Sequence, residues 1–275
     1  MTNKKLAIIA GKGGLVKNLV YKSIEAGYEL TVISIDNPEL KYEKSYQLYK
    51  LSNIDINYIF KLLKKKQITQ ICMAGYINRP NRFLDLFGPF SIMFLLKFRN
   101  ILNRGDAALF RSLNSYLERK GFTIIGASQI NPELTLSEGL YSKRNIPKHE
   151  ITNIKLAKEK IRIFREHDIG QAAVVSKGRF IALEAAEGTD GMLLRVVELN
   201  SNKRKKNGVF IKTSLMQQDL RTDMPTIGKQ TIDLVIKSKL SGVIITSGDV
   251  IVLDYDSVIR LVDENNLFFA VVKKI

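Results

Sequence analysis

The sequence predicts an α/β protein, with an N-terminal Rossmann-like domain built on a parallel sheet and a C-terminal α/β domain built on a mixed sheet. Three observations predict it. Residues 5–35 read as strand, glycine turn, helix, strand, the pattern of a parallel β-α-β unit. Strand-length apolar runs then keep alternating with helical spacing. In the second half two apolar runs face each other across Lys177-Gly178, a hairpin that brings antiparallel pairing into the later sheet. At 275 residues and about 100–200 residues per domain, two domains are expected: 1–132, a connection at 133–152, and 153–275.

In the first domain, KLAIIA at 5–10 is a buried strand, Gly11-Lys12-Gly13-Gly14 a turn, and the helical pattern runs through Ile24 to a second strand at 30–35. Helical spacing returns at 55–65, and a third strand at 70–74 runs into Gly75-Tyr76-Ile77-Asn78-Arg79-Pro80. The apolar stretch 83–102 reads as one or two helices, with Phe87, Phe90, Phe94 and Phe98 in the core or, as the lesser alternative, on an acyl-chain surface. Asp106 opens another helix, and 122–125 is a fourth strand. Between Asn131-Pro132 and Ile151 the periodicity dissolves, which marks the connection.

The second domain begins with a helix at 154–166. Strands at 172–176 and 180–184 form the hairpin, and Thr189 is the expected N-cap of a helix over 192–197. A strand at 208–212 follows a basic loop. A helix begins near Pro225 and runs to Leu240, then come strands at 242–246 and 250–253, a helix at 255–265 and a last strand at 267–272.

Composition narrows the function classes. Lys plus Arg number 43 against 27 Asp plus Glu, a net charge of +16, so the partners are anionic: nucleic acid, phosphorylated metabolites or an acidic lipid surface. The runs 64–66 and 203–206 read as solvated faces. Cys72 is the single cysteine; it excludes an intramolecular disulfide and sits in an apolar strand, as an inert core residue does. One cysteine and two histidines argue against a Cys/His zinc site. The N-terminal apolar run is too short for a secretory signal. Residues 87–98 fall short of the ~20 needed to span a bilayer and include Lys97, so a cytoplasmic protein is expected.

Three stretches and one further arginine carry chemistry. Gly11 and Gly13 fit a dinucleotide fingerprint whose third glycine is replaced by Val16, and Asp36 stands where a ribose-binding acid would. A nicotinamide-dinucleotide-binding oxidoreductase is therefore the rival reading. Phe180 to Arg195 gathers Glu184, Glu187 and Asp190 around Gly188-Thr189. Clustered oxygens at such a turn hold a hard divalent cation, or the acids simply complement the positive end of the helix. Residues 217–228 alternate Asp219, Arg221, Asp223 and hydroxyls ahead of a helix, offering a metal ligand or base beside a phosphate clamp; the plain alternative is that Asp223 and Thr226 cap that helix. Arg79, at a strand's carboxyl end, could grip phosphate oxygens.

Taken together, Ile9 to Leu15, Ala74-Gly75 with Arg79-Pro80, Gly105 to Leu109, Asp168-Ile169-Gly170-Gln171, Glu184 with Glu187 to Asp190, and Arg221 to Gly228 resemble the LpxI family of UDP-2,3-diacylglucosamine pyrophosphatases of lipid A biosynthesis. The resemblance keeps the family's order and covers nearly the whole chain, and its last two segments are the most specific. It implies hydrolysis of the diphosphate of UDP-2,3-diacylglucosamine to UMP and 2,3-diacylglucosamine 1-phosphate (lipid X), with Mg²⁺ or another divalent cation. It further implies lipid product held between the domains and water directed at the sugar-side phosphorus. By similarity Asp223, Arg221 and Gln218 are the catalytic group. Asp190, Glu187, Asp168 and Asp223 are the metal candidates. Gly11, Lys12, Gly13, Gly14, Arg79, Gln171, Thr189 and Thr226 meet the substrate. The implied setting is cytoplasmic, peripheral to the inner membrane of a Gram-negative-type bacterium, without nucleic acid, and it allows a homodimer. A nucleic-acid module, suggested by charge alone, ranks last because aromatics do not interleave with the basic runs.

Overall fold

The computed structural model describes residues 4–35, 40–76, 106–167, 169–202 and 205–273. The chain divides into two compact units, Met1–Pro132 with Arg221–Asp223, and Glu133–Leu220 with Met224–Ile275.

The first unit is a five-stranded parallel sheet in the order β3-β2-β1-β4-β5. Its strands are β1 (Lys5–Ala10), β2 (Glu29–Ile35), β3 (Gln47–Leu51), β4 (Gln70–Ala74) and β5 (Thr123–Ile124), and its helices α1 (Gly14–Glu25), α2 (Ile56–Lys66), α3 (Asp106–Arg119) and α4 (Ala127–Ile130). From β1 the chain builds outward through α1 to β2 and β3, then returns through α2 to β4 on the other side of β1. Because parallel crossovers are right-handed, that reversal puts α1 and α2 on opposite faces. Side chains alternate accordingly. Ala7, Ile33 and Ile71 join Ile59, Leu62 and Leu63 of α2 and Leu117 of α3 in one core, while Leu6, Ile8, Val32 and Cys72, of opposite parity, are buried on the other face. Asp55 caps α2, accepting from Tyr58 N at 3.0 Å, and Lys64, Lys65 and Lys66 fill its last turn. That basic run complements the negative helix end.

β3 is a strand that sequence periodicity does not reveal. It is an edge strand in which only Leu48 is buried, and a strand covered on one side needs little apolar signal. Asp36, Asn78, Arg79, the apolar stretch 83–102 and Asp168 lie outside the described residues.

The second unit is a six-stranded mixed sheet, β6-β13-β11-β9-β7-β8. Here β9 (Val209–Lys212), β11 (Gly242–Thr246) and β13 (Phe268–Val272) are parallel, whereas β7 (Ala172–Ser176), β8 (Arg179–Leu183) and β6 (Gly139–Leu140) pair antiparallel. Strand β6 lies within the stretch expected as a connection, so part of that stretch belongs to this sheet. On one face α5 (Ile151–Glu166) contributes Ala157 and Ile161 against Val175, Ile211, Ile244 and Phe268. On the other, α6 (Gly188–Leu199), α7 (Lys229–Lys237) and α8 (Tyr255–Glu264) contribute Met192, Ile232 and Val258 against Val174, Phe210, Val243 and Phe269. The period of two along each strand places both cores.

Two expected helix starts are corrected. Thr189 lies inside α6 rather than capping it: the helix already begins at Gly188 (φ +73°), with Glu187 as its N-cap. Helix α7 starts at Lys229 rather than near Pro225, with Gly228 as its cap. Thr226–Ile227 forms a short strand, β10, paired with β12 (Ile251–Val252). Neither Asp223 nor Thr226 is therefore a helix cap.

Candidate active site

In the first unit the glycine turn after β1 is bonded to the turn after β4. Gly11 N donates to Ala74 O at 2.9 Å, Lys12 N to Tyr76 O at 2.7 Å, and Tyr76 N to Lys12 O at 3.0 Å. Both turns need glycine at close quarters: a Cβ on Gly11 would lie 2.5 Å from Tyr76 O, and one on Gly75 2.5 Å from Lys12 O. These turns flank the point where strand order reverses, the place at which a dinucleotide-binding sheet opens its crevice. Here backbone hydrogen bonds bridge that crevice, and the N–H groups of Gly11 and Lys12 face protein oxygens instead of a pyrophosphate. Packing thus accounts for Gly11, and Gly13 (φ +109°) turns the chain beneath the Tyr76 ring into α1. The oxidoreductase alternative draws no support from these glycines.

Arg221–Asp223 belongs to this unit by its contacts. One face of α3 receives it: Glu118 Oε1 accepts from Arg221 Nη1 at 2.6 Å, and Asn114 Nδ2 donates to Thr222 Oγ1 at 2.9 Å. Asn114 and Glu118 are four residues apart and so point the same way. Gly126 lets the tripeptide approach, since a Cβ there would sit 3.1 Å from Arg221 Cα. Arg221 and Asp223, two of the three expected catalytic residues, thus share one well-held tripeptide.

In the second unit the carboxyl ends of β9 and β11 share an edge with the start of β7 and the end of β8. Ligands in such sheets bind at that edge, and polar side chains collect there. Lys212, the last residue of β9 and 6% exposed, donates from Nζ to Thr189 Oγ1 at 2.6 Å, and the Thr189 hydroxyl donates to Glu184 Oε2 at 3.1 Å. Asp249, 1% exposed, accepts from Ser214 Oγ at 2.6 Å and from the Thr246 hydroxyl, which also lies 2.9 Å from Thr213 Oγ1. Arg165 Nε donates to Ser214 O at 2.6 Å and so pins the root of the loop that follows β9. Further along it, Gln218 Oε1 accepts from Leu215 N at 3.0 Å. Gln171 holds the same edge through its carbonyl, which accepts from Thr213 N at 2.9 Å. Thr226 Oγ1 donates to its neighbour Met224 O at 3.2 Å.

The acidic stretch does not converge. Glu187 pairs with Arg195, and its own backbone N–H followed by that guanidinium holds its carboxyl below the usual range. Asp190 accepts from Gln230 Nε2 at 2.7 Å, and Glu184 serves Thr189. Among the described residues no three His, Cys, Asp or Glu side chains group to hold a metal ion. An all-protein cation cage at 184–190 therefore does not fit the side chains seen there. Lys212 and Asp249 do not stand out in the sequence: a lysine ending a strand reads as solvated, and Ser247-Gly248-Asp249 reads as a turn. Beside the outer strand β8, a groove of about 660 Å³ is walled by Phe180, Ile181, Ala182, Leu183 and Ala185 and edged by the Glu187–Arg195 pair. Among the described residues no helix is long and apolar enough to cross a membrane.

Residues 5–134 match the LpxI N-terminal domain and residues 137–270 the LpxI C-terminal domain. A UDP-2,3-diacylglucosamine pyrophosphatase LpxI of Caulobacter vibrioides is 31% identical over 272 residues, which cover 96% of this chain and 96% of the relative. An isoflavone reductase crystal structure aligns at a TM-score of 0.26 and 12% identity, over 99% of this chain and 80% of its own; a likeness that low carries no argument. With both family domains matched in order and a relative alignable almost from end to end, the chain belongs to the LpxI family.

Proposed function

We propose that this protein hydrolyses UDP-2,3-diacylglucosamine at its diphosphate, releasing UMP and 2,3-diacylglucosamine 1-phosphate, in lipid A biosynthesis. The observation that carries the reading is the near-complete alignment with a relative bearing that activity's name. The geometry is consistent with it. Asp223 and Arg221 sit two residues apart on a tripeptide fastened to α3. In this reading the Asp223 carboxylate takes the proton of the attacking water or holds a cation, and Arg221, aimed by Glu118, meets non-bridging phosphoryl oxygens. Gln218 orients the water or an oxygen of the substrate.

Divalent-cation dependence is part of the proposal. A hard cation of the Mg²⁺ type commonly keeps several waters and takes one or two carboxylates plus substrate phosphates, so the single carboxylate of Asp223 suits it better than the dispersed acids at 184–190. When bound, such an ion supplies charge neutralisation for the diphosphate. The charge of +16 favours work at an anionic inner-membrane surface from the cytoplasmic side.

The test is direct. Purified protein is given UDP-2,3-diacylglucosamine with Mg²⁺, with Mn²⁺, or with a chelator, and UMP is quantified. Release with either metal and loss on chelation is the expected result; no UMP under any cation overturns the proposal. Asp223→Ala is expected to lower turnover by at least about 100-fold, the scale of a lost acid–base group, with the folded state retained.

A further inference from the structure

We propose that Lys212 is an anion-holding residue of the second unit, aimed by Thr189 and Glu184 at a phosphoryl oxygen of the diphosphate substrate. The inference rests on the hydrolysis proposed above and adds a residue to that reaction.

Lysine is rarely buried unless it is paired. Lys212 ends β9 on the face that carries Phe210, where the other strand residues are apolar, yet it is only 6% exposed. Its ammonium is steered by the Thr189 hydroxyl at 2.6 Å, and that hydroxyl gives its own proton to Glu184. The direction of this relay is set by chemistry: an ammonium only donates, so Thr189 must accept from it and pass its hydrogen on. The group that results is a cation of fixed direction at the carboxyl edge of the sheet, where β9 has a parallel neighbour on one side and an antiparallel one on the other.

A second observation, independent of Lys212, points to a ligand along the loop that follows β9. Gln218 is 8% exposed, and its Nε2 has no hydrogen-bond partner among the described residues. The amide cannot simply be flipped, because Oε1 is required to accept from Leu215 N. A buried donor without an acceptor is a deficit that a bound oxygen removes. The segment from Lys212 to Gln218 thus carries a buried cation at its root and an unfilled donor further on. Its root is held by Ser214 through Asp249 and Arg165. Such a loop suits phosphoryl oxygens, whether of a soluble diphosphate or of a lipid headgroup.

The test uses the full-length protein and two probes: inorganic pyrophosphate by calorimetry, and vesicles of neutral lipid with or without phosphatidylglycerol by co-sedimentation. Lys212→Met keeps most of the stem and removes the charge. It is expected to weaken pyrophosphate binding by at least about tenfold, as loss of a charge-assisted hydrogen bond does, while vesicle binding stays at the wild-type level. Lys212→Arg should recover part of the affinity. Thr189→Val, which leaves Lys212 in place but undirected, should lower kcat/KM, and the loss should be less than additive with Lys212→Met. Wild-type pyrophosphate affinity in a folded Lys212→Met protein overturns the proposal, as does a loss confined to vesicles. If the wild type releases no UMP but Lys212→Met still loses pyrophosphate, the anion site stands and the hydrolase reading falls.

Discussion

Gly75→Ala would test whether the bridge between the two turns of the first unit is structural in the way its contacts imply. Alanine at φ +87° costs roughly 1–2 kcal/mol in backbone conformation alone. Its Cβ would also lie 2.5 Å from Lys12 O, 2.9 Å from Gly11 C and 2.9 Å from Val16 Cγ2. The first two are backbone atoms, so no rotamer change relieves them. The turns must separate, putting at risk three hydrogen bonds, Gly11 to Ala74 and the reciprocal pair between Lys12 and Tyr76, at about 0.5–1.5 kcal/mol each. The combined loss is on the order of 3–6 kcal/mol, a large part of a typical domain's 5–15 kcal/mol. Gly121→Ala is the matched control. Gly121 has the same φ of +87° but nothing within 4 Å of its added Cβ, so only the conformational cost remains. In urea unfolding followed by circular dichroism, Gly75→Ala should move the first unit's midpoint down by on the order of 2 M, and Gly121→Ala by far less. Equal shifts for the two variants would refute the steric argument.

Other expectations concern separate parts of the chain. Glu150 is fully buried and accepts from Gly208 N at 2.8 Å and Asn153 Nδ2 at 2.5 Å; Glu150→Ala should cost about 2–5 kcal/mol by stranding both donors, and Glu150→Gln less, as chemical denaturation would show. Arg221 and Glu118 are 39% and 43% exposed, so Glu118→Gln should change stability by less than about 1 kcal/mol yet lower kcat/KM if it aims Arg221; unaltered kinetics would remove that role. Burial pushes the Cys72 thiol from 9.0 up to about 12, so native protein should resist alkylation at pH 8.5 and react at the rate of unfolding. The sign follows from proton uptake: between pH 9 and 12 the folded state holds a proton the unfolded state has lost, so this contribution is complete below 9 and disappears as pH rises to 12. Melting temperatures across that window should fall more steeply for wild type than for Cys72→Ala.

Much of the fold was legible because buried strands announce themselves. The runs 70–74 and 172–176 match β4 and β7 residue for residue, since each is apolar and bounded by polar residues or a glycine turn. What escaped depends on distant partners. Thr226–Ile227 is strand only because Ile251 N and Leu253 N donate to Pro225 O and Ile227 O, a pairing no local window contains. The acidic stretch looked like one cluster because its members are close in sequence, yet Arg195, Gln230 and Thr189 draw its carboxylates to separate partners. Lys212 and Asp249 were invisible for the converse reason. Each reads as ordinary surface until the sheet brings Thr189 to the lysine and Ser214 to the aspartate.

The tripeptide at 221–223 has a consequence for anyone dissecting this protein. Sequence matching assigns it to the C-terminal family domain at 137–270, while its contacts assign it to the other unit, on Asn114 and Glu118. A fragment cut at the sequence boundary would keep its whole sheet and still lose the scaffold that fastens Arg221 and Thr222, the two residues before Asp223. Inactivity of such a fragment would therefore say nothing about where the chemistry resides, and mixing the separated halves in trans is the more informative experiment.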